Sequence, residues 1–222
     1  GGEPRLQGYL DDHAALANAL LSLFECDGDP LWLERAAEVL AETTEHFAAE
    51  DGSFYYTADD HEQLLARTKS ASEGAMPSGV AMAARALLRA GLLLGDRAKY
   101  ERGVAVLRAH HADLSARPTS VASLVCVAQL HLADPREVVV VGPVGDPRTE
   151  ALLRTARQQA VGRGVVAHLH DGNRAALVAR SSVFEGKADA AAPPRAYVCR
   201  QGACEAPVYT ASELAASLGA SR

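Results

Sequence analysis

Cationic residues are outnumbered in this 222-residue sequence: 22 Lys and Arg stand against 28 Asp and Glu, for a formal net charge of -6. No overall positive field offsets the repulsion that a phosphate backbone would meet, which argues against a nucleic-acid partner. Cysteine is scarce too. Cys26, Cys126, Cys199 and Cys204 are too few and too scattered for the disulfide framework of a small secreted domain, so a reducing, cytoplasmic setting is expected. Long apolar runs are missing: none reaches the roughly eighteen residues of a membrane span, and the N-terminus lacks a basic segment followed by an apolar one. Aromatics make up only 5%, which suits close-packed Ala/Leu helices better than a β-sandwich. No Met opens the chain, so residue 1 is expected to be an internal cut in a longer protein, although processing can also remove a Met.

What is present is helical periodicity. Leu10, Ala14, Ala17, Leu20, Leu21 and Phe24 recur at three and four, which predicts a helix over 9–24. Cys26 to Asp29 reads as a turn, and Pro30 opens a second helix through Leu33, Ala37, Leu40 and Phe47. Asp51 to Thr57 reads as a turn and a short extended segment, and the charged stretch 59–69 as a loop with at most one helical turn. Helices over 77–94, 97–114 and 119–132 follow, separated by Gly95-Asp96 and Arg117-Pro118, and short connections between long helices imply antiparallel hairpins. After Asp134-Pro135 the period changes. Strands are expected at 137–141, 165–169 and 196–199, with helices over 147–160 and 211–218 and a flexible Ala/Pro connection at 189–194. The expectation is a mainly α chain: helical hairpins over 1–134, then a small α/β module over 135–222 packed on them.

Several segments in order, Gly8-Tyr9-Leu10-Asp11-Asp12-His13-Ala14, Gly52 to Thr57, Arg67-Thr68-Lys69, Ala75 to Gly79, Val139 to Gly142, and Ala196 to Cys199 with Cys204, resemble the YyaL-like, spermatogenesis-associated thioredoxin-domain family. The resemblance spans nearly the whole chain. It implies an N-terminal thioredoxin-like domain followed by a double ring of helical hairpins similar to N-acylglucosamine 2-epimerases and six-hairpin glycosidases. This chain would then begin partway round an (α/α) toroid, without the thioredoxin-like domain and its Cys motif, which becomes a partner elsewhere in the parent chain. Pro77-Ser78-Gly79 usually continues with Asn in that family, whereas Val80 follows here, so any amide contact made by such an Asn is lost.

Candidate chemistry collects at predicted helix starts. Asp11, Asp12 and His13 either cap a helix or, in a ring of hairpins, face a central cavity as acid and base on a sugar. A glycosidase needs two facing carboxylates and an epimerase can use His bases, so hydrolase and epimerase chemistry both stay open. Asp59, Asp60, His61 and Glu62, with Arg67 and Lys69 after them, form either a solvated loop or, by the resemblance, the mouth of the ring. There Asp60, Arg67 and Lys69 would bind an anionic or polyhydroxyl ligand, Arg67 with its planar fork of donors. Ser78 is a cap or a ligand contact, and Tyr9 and Tyr56 are core or stacking faces for a sugar ring. His168 and His170 share a strand face, and with Cys199 and Cys204 on a neighbouring segment they raise zinc as a minor alternative to a disulfide, idle thiols or redox chemistry at the two cysteines. No metal or cofactor is otherwise expected. Val141 to Gly145 lacks the Gly-x-Gly-x-x-Gly pattern and reads as a structural turn. The leading expectation is a carbohydrate-type pocket; its rival is a non-catalytic scaffold that presents partners to the thioredoxin-like domain.

Overall fold

A computed structural model describes residues 8–61, 65–187, 192–200 and 202–219. α1 (Leu10–Asp27) buries Leu10, Ala14, Ala17, Leu21 and Phe24 along one face and ends where Gly28 turns left-handed at φ 76° and returns its N–H to Phe24. Asp29 then caps α2 (Pro30–Phe47) by accepting from the Leu31 N–H at 2.9 Å. So short a connection makes the two helices an antiparallel hairpin. α3 (Gly79–Leu94), capped by Ser78, and α4 (Arg97–Ala109), capped by Asp96, form the next hairpin. α1 and α3 pack side by side with their N-terminal ends together. α5 (His111–Ala116), a 3-10 turn at Pro118–Val121 and α6 (Ala122–Leu132) complete the helical part, with α6 against α3.

The rest is β1 (Arg136–Val141), α7 (Pro147–Ala160), β2 (Gly164–Leu169), α8 (Arg174–Arg180), a 3-10 turn at Ser182–Phe184, β3 (Arg195–Arg200), β4 (Ala203–Cys204) and α9 (Ala211–Gly219). The sheet order is β2-β1-β3-β4, with β1 parallel to β2 and antiparallel to β3. Val138 to Val141 are buried without alternation because both sheet faces are covered. Val139, Val141, Val165, Ala167 and Leu169 merge with the helical core, whereas Val138, Val140, Val166, Ala196 and Val198 pack under α7 and α9. The chain is therefore mainly α with an α/β part. Among the described residues no helix is long and apolar enough to cross a membrane.

Several expectations need correction. The helix expected over 97–114 breaks at His110, whose ring is held by the Ser53 hydroxyl at 2.6 Å and Asp113 at 3.2 Å; a distant side chain, not a local breaker, sets that boundary. The helix expected from 119 begins as a 3-10 turn, and α1 continues through the expected turn as far as Asp27. The loop at 59–69 shows no helical turn among its described residues. α8 and β4 were not anticipated: α8 buries only Leu177, and β4 is two residues long. Part of the expected connection at 189–194, and Glu62, lie outside the described residues.

Candidate functional site

The N-terminal end of α1 gathers most of the residues singled out from its sequence. Asp12 turns back on its own helix and accepts from the Tyr9 N–H at 2.9 Å, the capping role. Asp11 instead reaches across to α3, where its carboxylate accepts from the Gly79 N–H. That contact needs the glycine, because a Cβ at position 79 would lie 2.1 Å from the Asp11 Oδ1. Burial, and then the charge of Asp12, raises the Asp11 pKa despite this bond. Tyr9 and Tyr56 stack at 5.0 Å, with His61 edge-on to Tyr9 at 5.6 Å, and both tyrosines stay partly exposed. Burial and the nearby Asp11 raise the Tyr56 pKa. His13 rests against Phe47 and places its Nδ1 3.1 Å from the Tyr9 carbonyl.

Arg67 and Lys69 do not join this group. The Arg67 guanidinium donates to the carbonyls of Thr57 and His46 and lies 4.2 Å over the Tyr55 ring, so its fork is engaged by the backbone of its own loop. Lys69 pairs with Asp51 at 2.5 Å. Ser78 accepts from the Ala81 N–H at 3.3 Å and is the cap of α3. Asp60 stands with Asp59 and His46, whose ligand-type atoms lie within 4.8 Å of one another. All three are at least partly exposed, and the positive Arg67 faces Asp59, which disfavours a cation there.

A cavity of about 600 Å³ opens one step further along the same helices. Asn18, Ser22 and Glu25 follow one another by four and three and share the α1 face on which Asp11 also lies. Across from them α3 presents Met82, Arg85 and Arg89; α6 adds Ser123 and Cys126, and α7 with β2 closes the far side through Arg157 and Val166. Arg89 is buried and both its terminal nitrogens are held by α1: Glu25 at 2.6 Å, the Ser22 hydroxyl at 3.1 Å, and the carbonyl and amide oxygens of Asn18, each at 3.2 Å. The second oxygen of Glu25 accepts from the Val166 N–H at 3.0 Å, which ties the sheet to the helices. The sequence signal for this site was Arg85 and Arg89 inside an otherwise apolar stretch, together with polar residues at helical spacing on α1; neither sits at a helix start.

Cys199 and Cys204 are joined by a disulfide across paired positions of β3 and β4. β1 lies between them and β2, and the His168 Nε2–H donates to the Gly142 carbonyl at 3.0 Å, so a zinc site from these two pairs is ruled out by topology. His168 and His170 do share a face, 5.0 Å apart, and burial lowers both pKa values. Cys26 and Cys126 are free, exposed thiols that line the cavity.

No family model matches the sequence. The chain is similar to spermatogenesis-associated protein 20 of Homo sapiens, at 25% identity over 217 residues, and of Rattus norvegicus, at 24% over 220 residues. Each match covers 95% of this chain and 27% of the relative. An uncharacterised protein of Caenorhabditis elegans is 26% identical over 218 residues, which is 96% of this chain and 29% of that protein. The chain thus spans less than a third of the length of these curated relatives, and the matches support the resemblance to the spermatogenesis-associated family.

Proposed function

We propose that this chain supplies one wall of a small-molecule site for a polyhydroxyl, sugar-type ligand within a larger protein. The observation that supports it is the convergence of Asn18, Ser22, Glu25, Arg85, Arg89 and Ser123 on one cavity of about 600 Å³, a size suited to a small ligand. A concave site with few, well-held polar groups is what orients a ligand rich in hydroxyls. In this reading α1, α3 and α6 are inner helices of a ring of hairpins, residues 1–134 form the hairpin region, and 135–222 form the module behind it.

If the site is catalytic, Asp11 is the group suited to hold a proton. It continues the polar face of α1, and its raised pKa keeps it protonated to higher pH than an ordinary carboxyl, the direction a general acid requires.

The two cavity thiols give a direct test. Alkylation of Cys26 and Cys126 by iodoacetamide, followed by mass spectrometry on the intact protein, should slow at both positions when a neutral monosaccharide occupies the site. Unchanged rates across a panel of sugars would remove the proposal.

The scaffold reading has one observation in its favour. Leu16 and Leu23 lie on α1 at 51% and 42% exposure, an apolar face with room for another part of the parent protein, such as further hairpins or a thioredoxin-like domain. Leu16→Glu in the intact protein should loosen that contact and expose neighbouring cleavage sites to protease if this face is covered. A cytoplasmic location belongs to the same reading. It is tested by the redox state of Cys199 and Cys204 in cells, since a reducing compartment works against their bond.

A further inference from the structure

The three arginines that line the cavity are not equivalent. Arg89 is neutralised by Glu25, and both Glu25 oxygens are engaged, one by Arg89 and one by the Val166 N–H. Glu25 is the only carboxylate among the lining residues, so the charges of Arg85 and Arg157 have no anion of their own there. Arg85 lies one turn before Arg89 on the same face of α3, exposed at the cavity wall, and makes no hydrogen bond or ion pair among the described residues. Arg157 uses one terminal nitrogen to hold the carbonyls of Glu25 and Cys26 at 3.0 and 2.8 Å, at the negative end of α1. Its Nε is buried without a partner among the described residues. An orphaned guanidinium N–H carries a desolvation cost that a ligand acceptor would offset.

We infer that the cavity recognises an oxyanion on its ligand, a carboxylate or a phosphate, through the guanidinium of Arg85 with Arg157 lending positive charge. This rests on the sugar reading above and narrows its substrate class to acidic monosaccharides: uronic acids or sugar phosphates. The chemistry fits the donors. A planar fork of N–H groups matches the two oxygens of a carboxylate or two oxygens of a phosphate, and such charge-assisted bonds are the stronger kind. The position fits as well: the Ser22 and Ser123 hydroxyls line the same cavity, and with their hydrogens spent on the Asn18 carbonyl and on Glu73 their oxygens can accept from the hydroxyls of a monosaccharide that reaches Arg85. Partial desolvation against the cavity wall and the like charge of Arg89 lower the Arg85 pKa, with Glu25 acting the other way, and a bound anion would relieve that environment.

The test compares four probes on the intact protein by calorimetric titration: glucose, glucuronate, glucose 6-phosphate and inorganic phosphate. Glucuronate or glucose 6-phosphate should bind about tenfold or more tightly than glucose, the size of one charge-assisted contact. Which of the two wins separates a carboxylate site from a phosphate site. Arg85→Gln should abolish the preference and Arg85→Lys should keep part of it; since Arg85 holds no other group in the fold, both variants should melt with the parent. Equal binding of glucose and the acidic sugars, before and after Arg85→Gln, would overturn the inference and leave the sugar reading standing. Phosphate bound as tightly as glucose 6-phosphate would support the oxyanion site and sink the sugar reading. Binding of none of the four would overturn both.

Discussion

Arg67 and Lys69 on the loop after α2 carry the same charge as Arg85 and Arg157 at the cavity, yet their donors end in different places. Arg67 is engaged by the Thr57 and His46 carbonyls and Lys69 by Asp51, so these cations fasten the loop to the C-terminal end of α2. Arg85 meets no hydrogen-bond partner among the described residues, and the Arg157 Nε is buried with none. Arg89 sits between the two extremes: it faces the cavity but both its terminal nitrogens are bonded by α1. A cation whose donors are engaged holds the fold, and one whose donors are left over is available to a ligand. Residue type and local charge do not distinguish them.

The comparison can be broken at several points. Arg89→Met should have the largest effect, a loss of about 3 kcal/mol, because removing one member of a largely buried pair strands the charge of Glu25. Urea denaturation measures it, and a loss well under half that size would mean that Arg89 does not anchor α1 to α3. Arg67→Ala should cost about 2 kcal/mol through the lost carbonyl contacts and the Tyr55 stack, read as a lower melting temperature. Sugar protection of Cys26 and Cys126 should survive that change; its disappearance would return Arg67 to the binding site.

Lys69→Met should act where the pair is charged, near neutral pH, and its effect should vanish on the acid side. The Lys69 ammonium holds the Asp51 pKa below its ordinary value, so this carboxylate's contribution is present above that ordinary value and fades as pH falls through the lowered one. The parent's urea midpoint should therefore drop on acidification more steeply than that of Lys69→Met; parallel curves would show the pair to be idle. Smallest of all, Arg85→Gln should shift stability by no more than about 0.5 kcal/mol at neutral pH, as for a surface side chain without partners. A larger loss in the same denaturation experiment would place Arg85 with Arg67 among the fold-holding cations.

Much of the fold was readable because it is local. Leu10, Ala14, Ala17, Leu21 and Phe24 announce a buried helix face by spacing alone, Asp29-Pro30 announces a helix start, and the Val138 to Val141 run announces a strand covered on both sides. The break at His110 was not readable, since it depends on Ser53. Nor was α8, where Leu177 alone is buried and no periodicity can develop over so short a stretch.

The candidate site was half legible. Tyr9, Asp11, Asp12 and His13 do gather at the start of α1, and a carboxyl near a helix start is a local signal. What could not be read is that Asp11 serves the neighbouring helix while Asp12 serves its own, because the choice lies in the parallel packing of α1 on α3. The cavity was missed for a related reason. Asn18, Ser22 and Glu25 look like the solvated side of an amphipathic helix until α3, α6 and β2 are placed opposite them.

The sequence by itself determined the helix faces, the caps, the valine strands and the change of period near Asp134, since each depends on neighbours within a few turns of chain. The tertiary structure alone decided which of the loop and cavity cations are satisfied. The partners of Arg67 and Arg157 lie from ten residues away, as for Arg67 and Thr57, to more than a hundred, as for Arg157 and Glu25, and burial without a partner exists only once distant segments exclude water around the group.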